Sequence, residues 1–223
     1  MPRVSEQYRA DRRAEIVVAA ARLFAADGFH NTSMADVISA SGLSAGAVYR
    51  YFRSKEDLIG SVAERALSAA DETFAHLLAD GAAPSPDEAL TAILGAISDR
   101  IADDPVTGVD ITRIGVQVWA EALRNPEVAA RANEVYQRLR GHFAEVARRW
   151  QAAGGLAADA EPQQVGAALL SLVQGFVLQR LLVAGTDTDS YLAGVRALLA
   201  TTVPTPGRRR AVIDPPATSG ARR

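Results

Sequence analysis

The segment Thr32 to Lys55, TSMADVISASGLSAGAVYRYFRSK, leaves a folding chain few choices, because helix starts and stops follow one another too closely for anything but short, packed helices. Ser33-x-x-Asp36 is a capping box, in which the serine hydroxyl accepts from a helix-start N–H while the carboxylate reaches back to the cap. Val37 and Ile38 supply an apolar face. Ser41-Gly42 stops the helix, since glycine enters the left-handed conformation of a C-cap without a Cβ penalty. Leu43 packs the turn, and Ser44 is the cap of a second helix on which Val48 and Phe52 point inward while Ala45, Tyr49 and Arg50 face elsewhere. Ser54-x-x-Asp57 opens a third helix at once. Two short helices around a glycine turn form a helix-turn-helix.

The second helix leads with Ala45, Gly46 and Ala47 and follows with aromatics. Small residues let a helix N-terminus approach the floor of a nucleic-acid groove, and its positive dipole end favours phosphates. Lys55, the sole lysine of the chain, sits in the first turn of the next helix against the dipole preference, and a phosphate partner would account for it. The preceding stretch, roughly Glu6 to Ala26, reads as a bracing helix with Ile16, Ala20, Leu23 and Phe24 on one stripe and Gly28 just past its end.

Asp27-Gly28-Phe29, then Thr32-Ser33-Met34-Ala35-Asp36-Val37-Ile38-Ser39, then Tyr49-Arg50-Tyr51-Phe52-Arg53-Ser54-Lys55 stand in gapless order. The region from Arg12 to Ile59 thereby resembles the DNA-binding domain of the TetR family of bacterial transcriptional regulators. The resemblance implies phosphate contacts from Ser33, Tyr49, Tyr51 and Lys55 and base-edge positions at Ala45, Gly46 and Ala47 with Arg50 close by; Thr32 and Ser44 complete the expected DNA-binding set. Small apolar base-edge residues leave little bidentate hydrogen bonding, so thymine methyl contacts, DNA shape or Arg50 must supply specificity. Arg3, Arg9, Arg12 and Arg13 before the first helix could add phosphate or minor-groove contacts, diluted by Glu6 and Asp11.

The chain has 223 residues, enough to bury a real core, and a formal net charge of −2. Screening confines charge effects to about 8 Å at physiological salt, so a local basic face at Arg50, Arg53 and Lys55 matters more than the sum. No cysteine is present, which removes disulfides, thiolate zinc sites and cysteine nucleophiles and suits a reducing compartment. The start, MPRVSEQYRADRR, lacks the apolar core of a secretory signal, and the apolar run from Val165 to Ala184 is interrupted by Gln174, Gln179 and Arg180. A cytoplasmic protein without membrane association is expected.

The remaining periodicities are all helical, and the expected fold class is all-α, with about nine helices. The expected domains are a helix-turn-helix head over 8–60, an effector-binding and dimerisation domain over 61–203, and a disordered Pro/Arg-rich tail over 204–223. A long helix from Ser54 through Leu58, Val62, Phe74 and Leu78 leads to the breaker Gly81 to Pro84. Ser85-Pro86-Asp87-Glu88 opens a helix running to about Ala102, which Asp103-Asp104-Pro105 ends. Ile111 to Leu123 follows; then Asn125 caps and Pro126 begins a long helix. On it, Ala129, Ala132, Tyr136, Leu139, Phe143, Val146 and Trp150 make one apolar seam, expected to pack in an antiparallel bundle with a ligand-facing aromatic wall as the alternative, and Gly154-Gly155 ends it. Val165 to Val183 is apolar nearly all round and needs partners on two sides. A last helix spans about Ser190 to Thr201.

The resemblance further implies a homodimer paired through the last two helices, a near-palindromic double-stranded operator with half-sites roughly 34 Å apart or a multiple of it, and repression by family habit. It also implies a small-molecule effector among the central helices, for which Phe74, Arg113, Gln117, Trp119, Tyr136 and Phe176 are candidate wall residues, with ordinary core packing as the alternative for each. An effector that fits only when the heads are wrongly spaced for DNA would shift the dimer off its operator, with Ser54 to Leu78 carrying the motion. The rival classes are an effector-independent or architectural DNA-binding protein and an all-helical enzyme. Against the enzyme, His30, His76 and His142 fall on separate elements, and no nucleophile elbow, zincin, P-loop or dinucleotide motif is present. No catalytic residue, metal or cofactor is expected. His30 is expected to be exposed or to contact phosphate.

Overall fold

The structure, a computed structural model, describes residues 6–99 and 108–200, apart from the side chains of residues 66–69 and 111. Among the described residues there are nine α-helices and no strand: α1 Glu6–Asn31, α2 Met34–Ser41, α3 Ala45–Tyr51, α4 Lys55–Leu77, α5 Pro86–Asp99, α6 Ile111–Ala122, α7 Pro126–Ala152, α8 Pro162–Leu182 and α9 Thr188–Ala200. A single 3-10 turn at Ala79–Gly81 separates α4 from α5. The expected break at Asp103-Asp104-Pro105 and the expected tail lie outside the described residues.

Local chemistry sets the boundaries. Gly28 interrupts α1 with φ 83° and ψ 166°, so the bracing helix ends where the glycine was expected to end it and one further turn carries Phe29 back onto Phe24, ring centroids 4.8 Å apart. Ser33 and Asp36 form the full reciprocal capping box, and Gly42 closes α2 at φ 67°. Ser85 and Glu88 do the same at α5, where Glu88 N–H donates to Ser85 Oγ at 3.2 Å and Ser85 N–H to the Glu88 carboxylate at 2.7 Å. Asn125 accepts from the N–H groups of Glu127 and Val128. The box at α4 departs from expectation: Ser54 Oγ accepts from Asp57 N–H, but the Asp57 carboxylate accepts from Arg53 rather than from Ser54.

Two clusters of buried side chains make the core. The first joins Phe24 of α1, Val37 of α2, Val48 and Phe52 at α3, and Leu58 and Val62 of α4 to Ile114 and Val118 of α6 and to Val128 and Ala132 of α7. The head's core is therefore shared with the body, because residues of α6 and α7 complete it. The second unites Phe74 of α4, Leu90 and Leu94 of α5, Leu139 and Phe143 of α7, Leu169, Val173 and Phe176 of α8, and Leu192 and Val195 of α9. Tyr136 on α7 packs against both clusters.

Helix α7 buries more than the single expected seam, since Val128, Val135, Ala144 and Ala147 are covered as well. Helix α8 approaches it very closely: a Cβ on Gly166 would lie 2.7 Å from Ala144 N and 2.8 Å from Arg140 O. Helix α8 is long and apolar enough by composition to cross a membrane, yet here one side of it is packed on α7, α6 and α5. Its other side leaves Leu178, Leu182 and Val183 exposed, and on α9 Leu198 is exposed.

Candidate nucleic-acid interface and effector cavity

On α3, Val48 is fully buried, and with Phe52 it roots the helix in the head core. That anchoring turns Ser44, Ala45, Gly46, Tyr49 and Arg50 outward, and all five are exposed; Ala47 and Tyr51 are half-buried. Ser44 accepts from Ala47 N–H and so aligns the free amides of the first turn. A Cβ on Gly46 would meet nothing within 4 Å. Packing inside the chain thus does not demand a glycine there, whereas close approach to a partner would.

The other residues of the expected DNA-binding set are placed differently from one another. Ser33 is exposed at the start of α2, where its hydroxyl donates to Asp36 at 2.7 Å and holds that carboxyl below its ordinary pKa, aided by the Ser33 backbone N–H. Thr32 is buried, and its hydroxyl donates to Gly28 O at 2.9 Å. Its side chain fastens the α1–α2 turn. Lys55 Nζ donates to Thr32 O at 3.1 Å, which gives the lysine an internal reason to stand in the first turn of α4 and leaves two of its N–H donors for a phosphate. In the arm, Arg3 lies outside the described residues and Arg9 is exposed. Arg12 pairs with Glu15, and Arg13 donates to Ser61 Oγ at 2.8 Å with its guanidinium 5.1 Å from the Phe52 ring centre.

Polar contacts tie this head to the body. Arg131 of α7 reaches Asp57 at 2.7 Å. His30 is exposed, as expected, and lies 3.2 Å from Glu121 at the end of α6 with a hydrogen bond to Arg124.

Helices α4 to α8 enclose a cavity of about 110 Å³ at the seam between the two core clusters. Val118 and Ala132 belong to its wall and to the head's cluster, while Phe74, Val135, Phe143 and Val173 belong to its wall and to the body's cluster. Of the six expected wall residues, the structure brings together Phe74, Trp119 and Tyr136. The other three are elsewhere. Arg113 has a side chain 66% exposed and faces Asp110 at 4.0 Å. Gln117 turns toward Gly28 at the α1–α6 contact, where its Oε1 is buried without a hydrogen-bond partner. Phe176 is fully buried against Tyr191 between α8 and α9, ring centroids 5.3 Å apart. Thr112 and Gln174 are wall residues that sequence reading did not nominate, and Phe143 of the α7 seam joins them. Gln174 carried a signal, as a polar residue inside the most apolar stretch of the chain.

Among the described residues, no group of three or more His, Asp or Glu side chains could hold a metal ion. Residues 16–62 match the profile described as bacterial regulatory proteins, tetR family, and residues 86–204 match that of the C-terminal part of BetI-type transcriptional repressors. The chain belongs to the TetR family of transcriptional regulators. A helix-turn-helix-type transcriptional repressor of Mycobacterium tuberculosis strain H37Rv is 32% identical over 209 residues, covering 91% of this chain and 98% of that protein. The regulator UidR of Escherichia coli K12 is 25% identical over 84% of this chain and 90% of its own length. Among solved structures, GusR of Salmonella enterica has the same fold with a TM-score of 0.71 at 24% identity, covering 90% of this chain and 98% of that one. A transcriptional regulator of Saccharomonospora viridis, solved in complex with choline, superposes with a TM-score of 0.66 at 23% identity over 86% of this chain and 97% of that one. TetR-family membership makes this chain a DNA-binding transcriptional regulator whose α2–α3 unit is the helix-turn-helix.

Proposed function

We propose that this TetR-family protein is a cytoplasmic homodimeric repressor that leaves a near-palindromic operator when a small molecule enters the cavity between α4 and α8. Residues 8–60 act as the DNA head and 61–203 as the effector and dimerisation body. Ala45, Gly46 and Ala47 approach the base edges with Arg50 beside them, while Ser33, Ser44, Tyr49, Tyr51 and Lys55 hold phosphates. The exposed apolar sides of α8 and α9 pair with their copies about a two-fold axis.

The single observation that carries this reading is the double membership of Val118 and Ala132, which touch the cavity and are packed in the cluster that seats α3. A ligand that displaces them acts on the foundation of the recognition helix. Its differential affinity for the two head arrangements then sets the loss of DNA affinity, and DNA must weaken ligand binding by the same factor.

The test is selection of bound fragments from the genome, followed by anisotropy titration of the purified dimer against salt. A near-palindromic site with a steep salt slope is expected. Equal affinity for every duplex at low salt would overturn the operator assignment. A dimer whose DNA affinity no cavity-bound molecule changes would overturn the effector assignment.

A further inference from the structure

Two charged groups on the helices that form the cavity are held by ion pairs outside its lining. Asp110 caps α6 and is held by Arg180 of α8 at 3.1 Å. Asp71 of α4 lies 3.2 Å from Arg138 and 3.0 Å from His142, on the far side of Phe74, which stacks on His142 with ring centroids 4.8 Å apart. Among the described residues, no Asp, Glu, Arg, Lys or His lines the cavity.

Among the described residues, three side chains of the wall offer hydrogen-bonding groups besides the Trp119 indole: Thr112, Gln174 and Tyr136. Thr112 has no donor to spare, since its hydroxyl donates to Asp110 at 2.5 Å; it also accepts from Arg180 at 3.3 Å. The indole N–H donates to Tyr136 Oη, which uses an acceptor position of the phenol and leaves its O–H with no acceptor among the described residues. Burial raises the Tyr136 pKa, against a smaller lowering by the indole hydrogen bond, so the group stays a donor across neutral pH. A phenol donor without a partner in apolar surroundings is costly, and a ligand acceptor removes that cost.

We propose that the cavity takes an uncharged, largely apolar molecule bearing a hydrogen-bond acceptor, which receives the Tyr136 O–H, with the Gln174 amide as the other polar group of the wall. The inference rests on the reading of this cavity as the effector site. A cavity of about 110 Å³ is of the same order as the roughly 150 Å³ apolar cavity that binds benzene, so the molecule is small. A cation entering it finds no carboxylate and meets the positive end of the phenol dipole, so cation–π attraction alone would have to offset its dehydration. An anion finds no guanidinium, because Arg180 is held by Asp110. Tyr136 is packed against both core clusters, so a ligand bonded to it sits at their joint.

Calorimetric titration of the full-length dimer with four probes of similar size tests this: acetophenone, α-methylstyrene in which CH2 replaces the carbonyl oxygen, benzoate, and choline. Acetophenone is expected to bind about three- to tenfold tighter than α-methylstyrene, the range of one net hydrogen bond, and tighter than either ion. Tyr136→Phe should erase the preference for acetophenone while leaving α-methylstyrene binding in place. Gly115→Leu places a side chain at the cavity wall, where an added Cβ meets nothing within 4 Å, and should abolish binding of all probes. Tighter binding of choline or benzoate, or equal binding of the two neutral probes, with Gly115→Leu still blocking, would overturn the inference and leave the effector cavity standing. Binding of none of the four, or binding untouched by Gly115→Leu, would overturn both.

Discussion

At the scale of single residues, side chains that look alike on the helix-turn-helix do separable work. Gly46 has open space where a side chain would go, so Gly46→Leu is expected to leave the unfolding midpoint unchanged or slightly raised, glycine being a poor helix residue. Its DNA affinity should fall by at least about tenfold, because base-edge contact requires the backbone to come close. Paired denaturation and anisotropy measurements separate the two outcomes, and an unchanged DNA affinity would remove Gly46 from the interface. Ser33 works through Asp36. The lowered carboxyl pKa means that the capping contribution is present above the ordinary carboxylate value and is lost as pH falls through the depressed one. Ser33→Ala should move the Asp36 titration upward toward its usual range, as NMR of the side-chain carboxyl would show. Thr32 is different again: its hydroxyl and burial make it part of the turn that aims α2, so its substitution should lower stability before it touches DNA binding.

At the scale of elements, α6 and α7 each carry a buried residue shared by the cavity wall and the head's cluster, Val118 and Ala132. Arg131 on α7 braces Asp57 at the start of α4 through a partly exposed pair. Arg131→Met should alter stability by less than about 1 kcal/mol. It should reduce the factor by which a cavity ligand lowers DNA affinity, measured by anisotropy with and without ligand; an unchanged factor would take the brace out of the coupling route. The α7–α8 contact is of another kind, because there the backbones themselves nearly touch at Gly166. Gly166→Ala is expected to cost about 1–3 kcal/mol by forcing the helices apart, read as a lower denaturant midpoint.

At the scale of the whole molecule, the apolar sides of α8 and α9 face outward in the single chain. Leu182 is 78% exposed and Leu198 68% exposed, an arrangement that a second copy would cover. Leu182→Glu combined with Leu198→Glu should yield a folded monomer by sedimentation and abolish tight operator binding, since two heads on one duplex contribute jointly. A dimer that survives both changes would place the interface elsewhere.

The sequence by itself determined the helices and the recognition unit. Caps such as Ser33, Ser85 and Asn125, stops such as Gly28 and Gly42, and the 3.6-residue apolar period are all written within a few positions of where they act. Only the tertiary structure decided what those helices enclose. Phe74, Trp119 and Tyr136 reach the cavity, whereas Phe176, equally aromatic and equally apolar in its neighbours, faces α9. Arg113 and Gln117 ride the same helix as Trp119 yet point to solvent and to α1. The bracing of Asp57 by Arg131 and of Asp110 by Arg180 joins residues about seventy positions apart, at separations of 74 and 70. Periodicity fixes which residues share a face of one helix, but it is blind to the neighbour that face meets, which depends on the mutual packing of the helices.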